Sequence, residues 1–526
     1  MNKYLATALA LLIYAIPAHA TVKDDIGFTQ LQNELGEAIP NGSVSVFHIE
    51  ARFNVDANNP VTTGDWIADS SNAEFSGKVI SGLSTNPSIA PSSHATMVGV
   101  RFYGNDFSQA PGIIDIGAHS VDGWFFDQVI PTGAFNPSTL SFTRIPLATD
   151  RRVANHSWVS TGFIDPQTQS FSPELTASFL RHSDWLSDAD ELIQVFGPNN
   201  GSADRVLMAT SYNGITAGRI DTNHADGVIA LDEIYTANRP AIHLVSPENN
   251  SSNSAPTISS SAALLIDAGA SNPSWSETST TTRAGINIQN AERTEIIKAA
   301  LMAGASRTTE NTTTLGDIVD YRVDPANQTN NGLDRRYGAG QLNVYNSYQI
   351  LAAGEQPSIE DGGVLNSSLT GFDHDGSFGG ESGSNSVATY DLGVITDPVE
   401  LTIALVWNLD VAGDAPPTPA SFDETANLYD LDLRLIDVSD GNLVVAESAS
   451  AIDNTENIWI TLEAGKHYQI QVSAEGANFN WDYGIAWHST IIPVAVPLHW
   501  PAIAALLYLF IVIQKKSAQT RSFRLL

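Results

Sequence analysis

The sequence predicts a mostly parallel α/β sheet flanked by helices, followed by a small all-β sandwich domain. The first observation is that short β-rich runs alternate with helix-compatible stretches from about residue 40 to residue 350, which favours a parallel sheet with covering helices. The second is that regular strand-like runs follow one another from about residue 387. The third is size, because 526 residues at 42% hydrophobic composition can bury a large core and divide into more than one domain.

Both ends of the chain carry targeting patterns. Residues 1–20 place Lys3 before the apolar run ALALLIYAI and end on Ala-His-Ala, the pattern of a cleaved signal peptide. Residues 491–513 are long and apolar enough to span a bilayer as a single helix, and a basic tail follows at residues 514–526. We therefore expect export across the bacterial inner membrane and anchoring through the C-terminal helix.

Charge and cysteine content narrow the function classes. A formal net charge of −33 leaves no basic patch for phosphates, which argues against nucleic acid as a partner. The carboxylate excess suits a soluble exported protein and is compatible with a structural Ca²⁺ site, although solubility alone is the favoured explanation. The chain has no cysteine, which excludes disulfides, thiolate metal sites and a cysteine nucleophile.

Between the targeting segments the chain divides into two units. Residues 21–354 form the predicted α/β domain, with strands expected in the runs VSVFHI, RVANHSWV, ELIQVF, RVLMATS and AIHLVS and a helix in ERTEIIKAALMAGA. Residues 355–386 are rich in Gly, Ser and Asp without periodicity, which predicts a linker. Residues 387–490 form the predicted sandwich, in which residues 439–442 (Ser-Asp-Gly-Asn) indicate a hairpin turn.

Three distant segments supply an acid, a base and a hydroxyl nucleophile. In VSVFHIEA, Glu50 falls where a β-strand should end, and in SSHATMVGV, His94 falls in the first turn of an expected helix. In NNSSNSAPTISSSAALL, Pro256 suits the first turn of a helix, which would put Ser252 just upstream of it. The dipole and free amides of that helix end favour negative charge on a nucleophile or an oxyanion. Such a set is the minimum equipment for covalent acyl transfer.

The three segments resemble the motifs of the subtilisin-like serine peptidases. Those enzymes carry a strand ending in the acid, a His-Gly-Thr-His-Val-Ala-Gly helix start and a Gly-Thr-Ser-x-Ala-x-Pro segment, in that order. The resemblance covers about residues 40–350 and places Glu50, His94 and Ser252 in the triad positions. It implies that His94 takes the proton of Ser252, that Glu50 orients His94, and that no cofactor is required for the chemistry.

Two further segments extend the resemblance. VANHSWVS resembles the family's substrate-pairing strand, which implies that Ser157, Trp158 and Val159 line the substrate-binding subsites for a peptide. VFGPNNGS resembles the loop that supplies the oxyanion-hole side chain, which implies this role for Asn199. Residues 387–490 resemble the pre-peptidase C-terminal domains of secreted peptidases.

The C-terminal segment also resembles a known signal. VPLHWPA, the apolar run and the basic tail are similar to the sorting signals of exosortase-type bacterial systems, which implies a processing enzyme as partner and a cell-surface or extracellular product. A plain membrane anchor is the alternative.

The sequence departs from the family pattern at several positions. The acid is Glu50 where the family has Asp, Ala95 and Met97 replace Gly and His, and Asn250 stands for the Gly of the nucleophile motif. An alternative is therefore a catalytically silent, surface-anchored binding protein on the same fold. An esterase or amidase with the same triad and a linker role for the serine-rich run are further alternatives.

Overall fold

The computed structural model describes the following residues: 21–55, 57–58, 63–85, 89–131, 135–201, 204–307, 321–414 and 421–492. The predicted signal peptide, the predicted apolar helix beyond residue 492 and the basic tail lie outside this part of the chain. In the part that is described, no helix combines the length and the apolar character needed to cross a bilayer.

A seven-stranded sheet in the order β2-β3-β1-β6-β7-β8-β9 forms the centre of the first domain. All neighbouring strands of this sheet run parallel. Two separate antiparallel pairs, β4 with β5 and β10 with β11, lie outside it. In chain order the strands of the first domain are β1 Val46–Glu50, β2 Val79–Gly82, β3 Asp115–Ser120, β4 Phe135–Asn136, β5 Ser141–Phe142, β6 Val153–His156, β7 Ile193–Phe196, β8 Ile215–Arg219, β9 Leu244–Ser246, β10 Ser279–Thr281 and β11 Asn287–Gln289.

Helices cover this sheet. Every residue of β1, β6, β7, β8 and β9 is buried, as expected for parallel strands that are covered on both faces. The longest helix, α6, packs on β6, β7 and β8 and against α3. In chain order the α-helices are α1 Val22–Asp25, α2 Phe28–Leu35, α3 Ser93–Tyr103, α4 Val121–Gly123, α5 Pro173–Ala189, α6 Ser251–Ser271, α7 Thr294–Ala303 and α8 Val344–Ala352, and Trp124–Val129 continues α4 as a π-helix.

The second domain is a sandwich of two four-stranded antiparallel sheets with the orders β12-β21-β14-β19 and β13-β20-β17-β18. Its core is built from side chains such as Leu401, Trp407, Leu433 and Ile485. A two-stranded arm, β15 with β16, extends from it. The strands are β12 Gly371–Phe378, β13 Val387–Val394, β14 Val399–Val406, β15 Asp410–Asp414, β16 Phe422–Asn427, β17 Asp430–Asp437, β18 Leu443–Ser448, β19 Thr455–Leu462, β20 His467–Glu475 and β21 Trp481–Ile491.

The predicted fold class is confirmed in its architecture: a parallel sheet flanked by helices precedes a small all-β sandwich. The hairpin predicted at residues 439–442 connects β17 to β18, with Gly441 and Asn442 in the left-handed backbone region. The helix predicted in ERTEIIKAALMAGA is α7.

The structure differs from the sequence-based expectation in several segments, of which RVLMATS, β8 and β12 show the physical reasons. RVLMATS, expected as a strand, is buried but forms a short 3₁₀ turn at Met208–Thr210, because burial alone does not distinguish a strand from a turn of helix. β8 was not expected, since its Thr, Gly and Arg give no strand-like pattern. The segment predicted as a linker contains β12. The Gly, Asp and Ser residues of β12 have low strand propensity, and the strand forms because it pairs with β21.

The two domains share one hydrophobic core. Phe372, Ala404 and Ala486 of the sandwich belong to the same buried cluster as Ile296 and the other apolar residues of α7. The hydroxyl of Thr402 on β14 donates to the carbonyl of Ala303 at 2.6 Å. All ten residues of α7 are buried as a result.

Candidate active site

The predicted acid lies at the carboxyl end of β1, an interior strand of the seven-stranded sheet. Glu50 is the last residue of β1 and its side chain is 1% exposed. The neighbouring strands β6 and β7 run parallel to β1, so His156 and Phe196, their last residues, end at the same edge of the sheet. Open parallel sheets place functional side chains at this edge.

Glu50 and His94 are brought together. His94 Nδ1 lies 2.7 Å from Glu50 Oε2, and the histidine is the donor because a carboxylate can only accept. Ser92 caps the N-terminus of α3 through Ala95 N–H, which fixes His94 in the first turn. The His94 side chain is 24% exposed, and the ring of Phe53 lies 5.1 Å from its centroid.

The electrostatics of this pair favour a charged imidazole. Burial by itself lowers the pKa of His94, but the hydrogen bond and the negative charge of Glu50 outweigh it and raise the pKa above 6.5. The hydrogen bond also shows that the side chain of Glu50, which is longer than that of an aspartate, reaches the imidazole of His94.

A second histidine, which the sequence analysis did not single out, contacts the same carboxylate. His48 Nε2 lies 3.1 Å from Glu50 Oε1, and His48 Nδ1 lies 3.0 Å from the hydroxyl of Tyr103. His48 is 1% exposed and Tyr103 is fully buried. The sequence signal that could have identified His48 is its spacing of two residues from Glu50, since alternate residues of a strand point to the same face.

Ser252 is half-buried in the first turn of α6. The helix begins earlier than expected, at Ser251, so Ser252 lies within the helix and not just upstream of it. Asn250 caps the helix by accepting from Asn253 N–H at 2.8 Å. Asn250 has an extended backbone (φ −153°), so it serves as a cap rather than as a left-handed residue. Pro256 consequently lies inside the helix.

Pro256 leaves one helix carbonyl without its usual partner. Proline has no N–H, so the carbonyl four residues earlier, that of Ser252, cannot make the helical hydrogen bond. The hydroxyl of Ser157 donates to this carbonyl at 3.0 Å instead. Asn155 donates to the Ser157 oxygen at 3.1 Å and accepts from Ser259 at 3.1 Å, which ties β6 to α6 at two points.

The other two residues predicted to line substrate subsites differ in exposure. Trp158 is 6% exposed, packs against Phe125, and donates through its indole to His156 Nδ1 at 3.2 Å. Val159 is 51% exposed. Ser157 thus contacts the start of α6, and Trp158 packs among the rings of Phe125 and His156. Val159 presents an apolar side chain to solvent.

The loop after β7 contains Asn199 and Asn200, and it contacts the start of α6 through Gly197 and Asn200. A Cβ on Gly197 would lie 2.9 Å from the carbonyl oxygen of Ser251, so this close approach requires glycine. Asn200 Oδ1 accepts from Ser251 N–H at 2.9 Å. Asn199, the predicted oxyanion donor, is half-buried, and its carbonyl accepts from Ala225 N–H at 2.8 Å.

The acid–imidazole pair lies at the start of one helix, and the serine lies near the start of another. His94 is the second residue of α3 and Ser252 is the second residue of α6, and these two helices pack against each other. Among the residues that the structure describes, no group of three or more His, Asp or Glu side chains is placed to hold a metal ion.

No protein-family model matches this sequence, and no curated protein matches it. Several solved structures are similar. The prenylagaramide maturation protease PagA is 13% identical, with 61% of this chain and 98% of that chain covered and a TM-score of 0.35. The self-cleaved protease domain of PatA is 15% identical over 60% and 99%, with a TM-score of 0.30.

A third similar structure is the serine protease MycP1, a component of the type VII (ESX-1) secretion system. It is 12% identical, with 64% of this chain and 90% of that chain covered and a TM-score of 0.30. Likeness at this level does not transfer an activity, because one fold hosts many functions.

Proposed function

We propose that this protein is a secreted or surface-anchored serine endopeptidase that hydrolyses peptide bonds through Ser252, His94 and Glu50. The observation that carries the proposal is the 2.7 Å hydrogen bond between Glu50 Oε2 and His94 Nδ1. It joins the carboxyl end of β1 to the first turn of α3, the helix that packs against α6. A buried acid holding a partly exposed imidazole is the pairing that activates a serine.

In the proposed mechanism, His94 is the general base. Its Nδ1–H is committed to Glu50, so Nε2 is the ring nitrogen that takes the proton of Ser252 as the serine oxygen attacks the substrate carbonyl carbon. Glu50 stabilises the imidazolium that results. The imidazolium then donates this proton to the leaving amine. In deacylation His94 takes a proton from the water that attacks the acyl carbon and gives it to the Ser252 oxygen as the ester bond breaks.

The oxyanion would form at the start of α6. The dipole of a helix N-terminus favours negative charge there. The side-chain amide of Asn199 is proposed as a further donor, and support comes from the contact of its loop with Ser251. This proposal needs no cofactor for the chemistry.

A peptide is the proposed substrate. Residues 157–159 follow β6 at the carboxyl edge of the sheet, and their backbone is proposed to pair with an extended peptide. Val159 is exposed and adds an apolar surface to this segment. The resembling strand of the subtilisin-like peptidases has glycine where this chain has Val159, and a valine side chain occupies more space. We therefore propose that the substrate-binding cleft is narrow.

Location and processing belong to the same proposal. The signal-peptide pattern of residues 1–20 supports export, and the apolar segment 491–513 supports membrane anchoring. The sorting-signal resemblance supports an enzyme that cleaves the C-terminus. A structural Ca²⁺ site is compatible with the acidic composition.

The test is labelling of the purified full chain with a fluorophosphonate probe, which reacts with activated serines. We expect labelling on the peptide that contains Ser252, loss of labelling in Ser252→Ala, and retention in the matched control Ser254→Ala. Hydrolysis of casein should fall by about 10⁶-fold in Ser252→Ala. A folded wild-type protein without labelling would contradict the peptidase and favour the silent binding protein.

A further inference from the structure

We propose that His48 is a positioning residue that holds the Glu50 carboxylate in place for His94. The proposal rests on the proposed function, because it assigns a role within the same site. His48 and Glu50 are alternate residues of β1, and both are 1% exposed. Each carboxylate oxygen of Glu50 has one histidine partner, since Oε1 lies 3.1 Å from His48 Nε2 and Oε2 lies 2.7 Å from His94 Nδ1.

A glutamate needs such support more than an aspartate does. Its side chain has one more rotatable bond, so a buried glutamate with a single partner could reach His94 in more than one geometry. The second hydrogen bond fixes the plane of the carboxylate. It also satisfies Oε1, which would otherwise be a buried acceptor without a partner.

Glu50 and Tyr103 together determine which nitrogen of His48 carries the hydrogen. A carboxylate can only accept, so the hydrogen of a neutral His48 lies on Nε2, 3.1 Å from Glu50 Oε1. The pKa of Tyr103 is raised well above its usual range by burial and by the charge of Glu50, so the phenol keeps its proton and can donate it to His48 Nδ1 at 3.0 Å. Nε2–H is the atom that faces Glu50.

The same contact fixes the helix that carries His94. Tyr103 is the last residue of α3, and His94 is its second residue. The helix is therefore attached to β1 at both ends, through His94 at its start and through Tyr103 and His48 at its end. The ring of Tyr103 also packs edge-on against His48, with centroids 5.7 Å apart. A shift of α3 relative to Glu50 would break both attachments.

The test compares two polar replacements that differ in reach. In His48→Gln the side-chain amide reaches the position of Nε2 and can donate to Glu50. In His48→Asn it reaches only the position of Nδ1, next to Tyr103. The control Tyr390→Phe removes a fully buried hydroxyl in the sandwich, which donates to Asp373 at 2.8 Å.

The first readout is independent of turnover. In the Ser252→Ala background, the low-field ¹H resonance of the His94 Nδ1 hydrogen reports its bond to Glu50. We expect this resonance in wild type, His48→Gln and Tyr390→Phe, and its loss in His48→Asn. Retention in a folded His48→Asn protein, or equal loss in His48→Gln, would overturn the proposal. If His48→Asn does not fold, Tyr103→Phe decides: a weakened or shifted resonance supports the proposal and an unchanged one overturns it.

The second readout is peptide hydrolysis. We expect kcat to fall about 10- to 100-fold in His48→Asn, with KM changed less than about twofold and with His48→Gln restoring most of the loss. A wild-type protein that neither reacts with the probe nor hydrolyses peptide would refute the proposed function. The resonance would still decide the role of His48.

Discussion

The hydroxyl of Ser157 donates to the backbone carbonyl of Ser252 at 3.0 Å. Pro256 makes this bond necessary, because it removes the helical N–H that would otherwise pair with the carbonyl. A side chain at the end of β6 thus fixes the first turn of α6. The backbone of the proposed nucleophile is held by the sheet as well as by its own helix.

Ser157→Ala should therefore affect turnover more than folding. Loss of the hydrogen bond should lower the free energy of unfolding by about 1 kcal/mol and lower kcat by about tenfold through a displaced Ser252. The matched control is Ser261→Ala, which removes a hydroxyl bonded only within α6, to the Thr257 carbonyl. Chemical denaturation and steady-state kinetics on both variants make the comparison. Equal kcat values would contradict the role of Ser157.

The two adjacent asparagines should separate chemistry from stability. Asn199→Ala should lower kcat by about 10²- to 10³-fold with little change in KM, as expected for loss of an oxyanion donor. Asn200→Ala removes the acceptor for Ser251 N–H and should cost about 1 kcal/mol of stability. Kinetics and thermal unfolding of the pair provide the test. The assignment of Asn199 fails if Asn200→Ala carries the larger loss of kcat.

Glu50→Gln should shift the pH profile of hydrolysis. In the wild type, the charge and hydrogen bond of Glu50 raise the pKa of His94 above 6.5 against the opposing effect of burial. The base is active when neutral, so kcat/KM should rise with pH through this raised pKa. Without the carboxylate, burial dominates, so the acid limb should move to lower pH and the plateau should fall by about 10³- to 10⁴-fold.

The same pKa shift contributes to stability. A histidine whose pKa is raised by folding stabilises the native state below its unfolded pKa, and this contribution is lost as pH rises through the folded pKa. The free energy of unfolding of wild type and of Glu50→Gln should be compared over the pH range from the unfolded to the folded pKa of His94. A His94 resonance that titrates at the same pH in both proteins would contradict the prediction.

A single methyl group added to the core that the two domains share should lower the stability of the protein. In Gly484→Ala, the new Cβ would lie 2.8 Å from Cδ1 of Ile296 and 2.9 Å from Cβ of Glu295, which forces β21 and α7 apart. We expect a loss of about 1 to 3 kcal/mol. Gly376→Ala is the control, since its nearest contact, His374 Cε1, is at 3.7 Å. Calorimetry should show a lower Tm for Gly484→Ala only, in one transition.

Local patterns in the sequence predict much of the fold and part of the site. The strand that ends at Glu50 and the helix start at His94 are found from alternation and from small residues before an apolar run. β8 and β12 are not, because their Gly, Thr and Asp residues become strands only through pairing with neighbours. The role of His48 could not be predicted from local patterns, since its contact with Tyr103 joins residues 55 apart in the chain.

α7 makes the sandwich part of the folding unit. Ile296 and Ala300, together with the rest of this helix, are covered by β14 and β21 as well as by the first domain. A chain that ended before residue 371 would present this helix to water and would be expected to aggregate. Cleavage of the chain at the junction would thus expose α7 rather than release an intact first domain, and the sandwich cannot be replaced by another domain without redesigning α7.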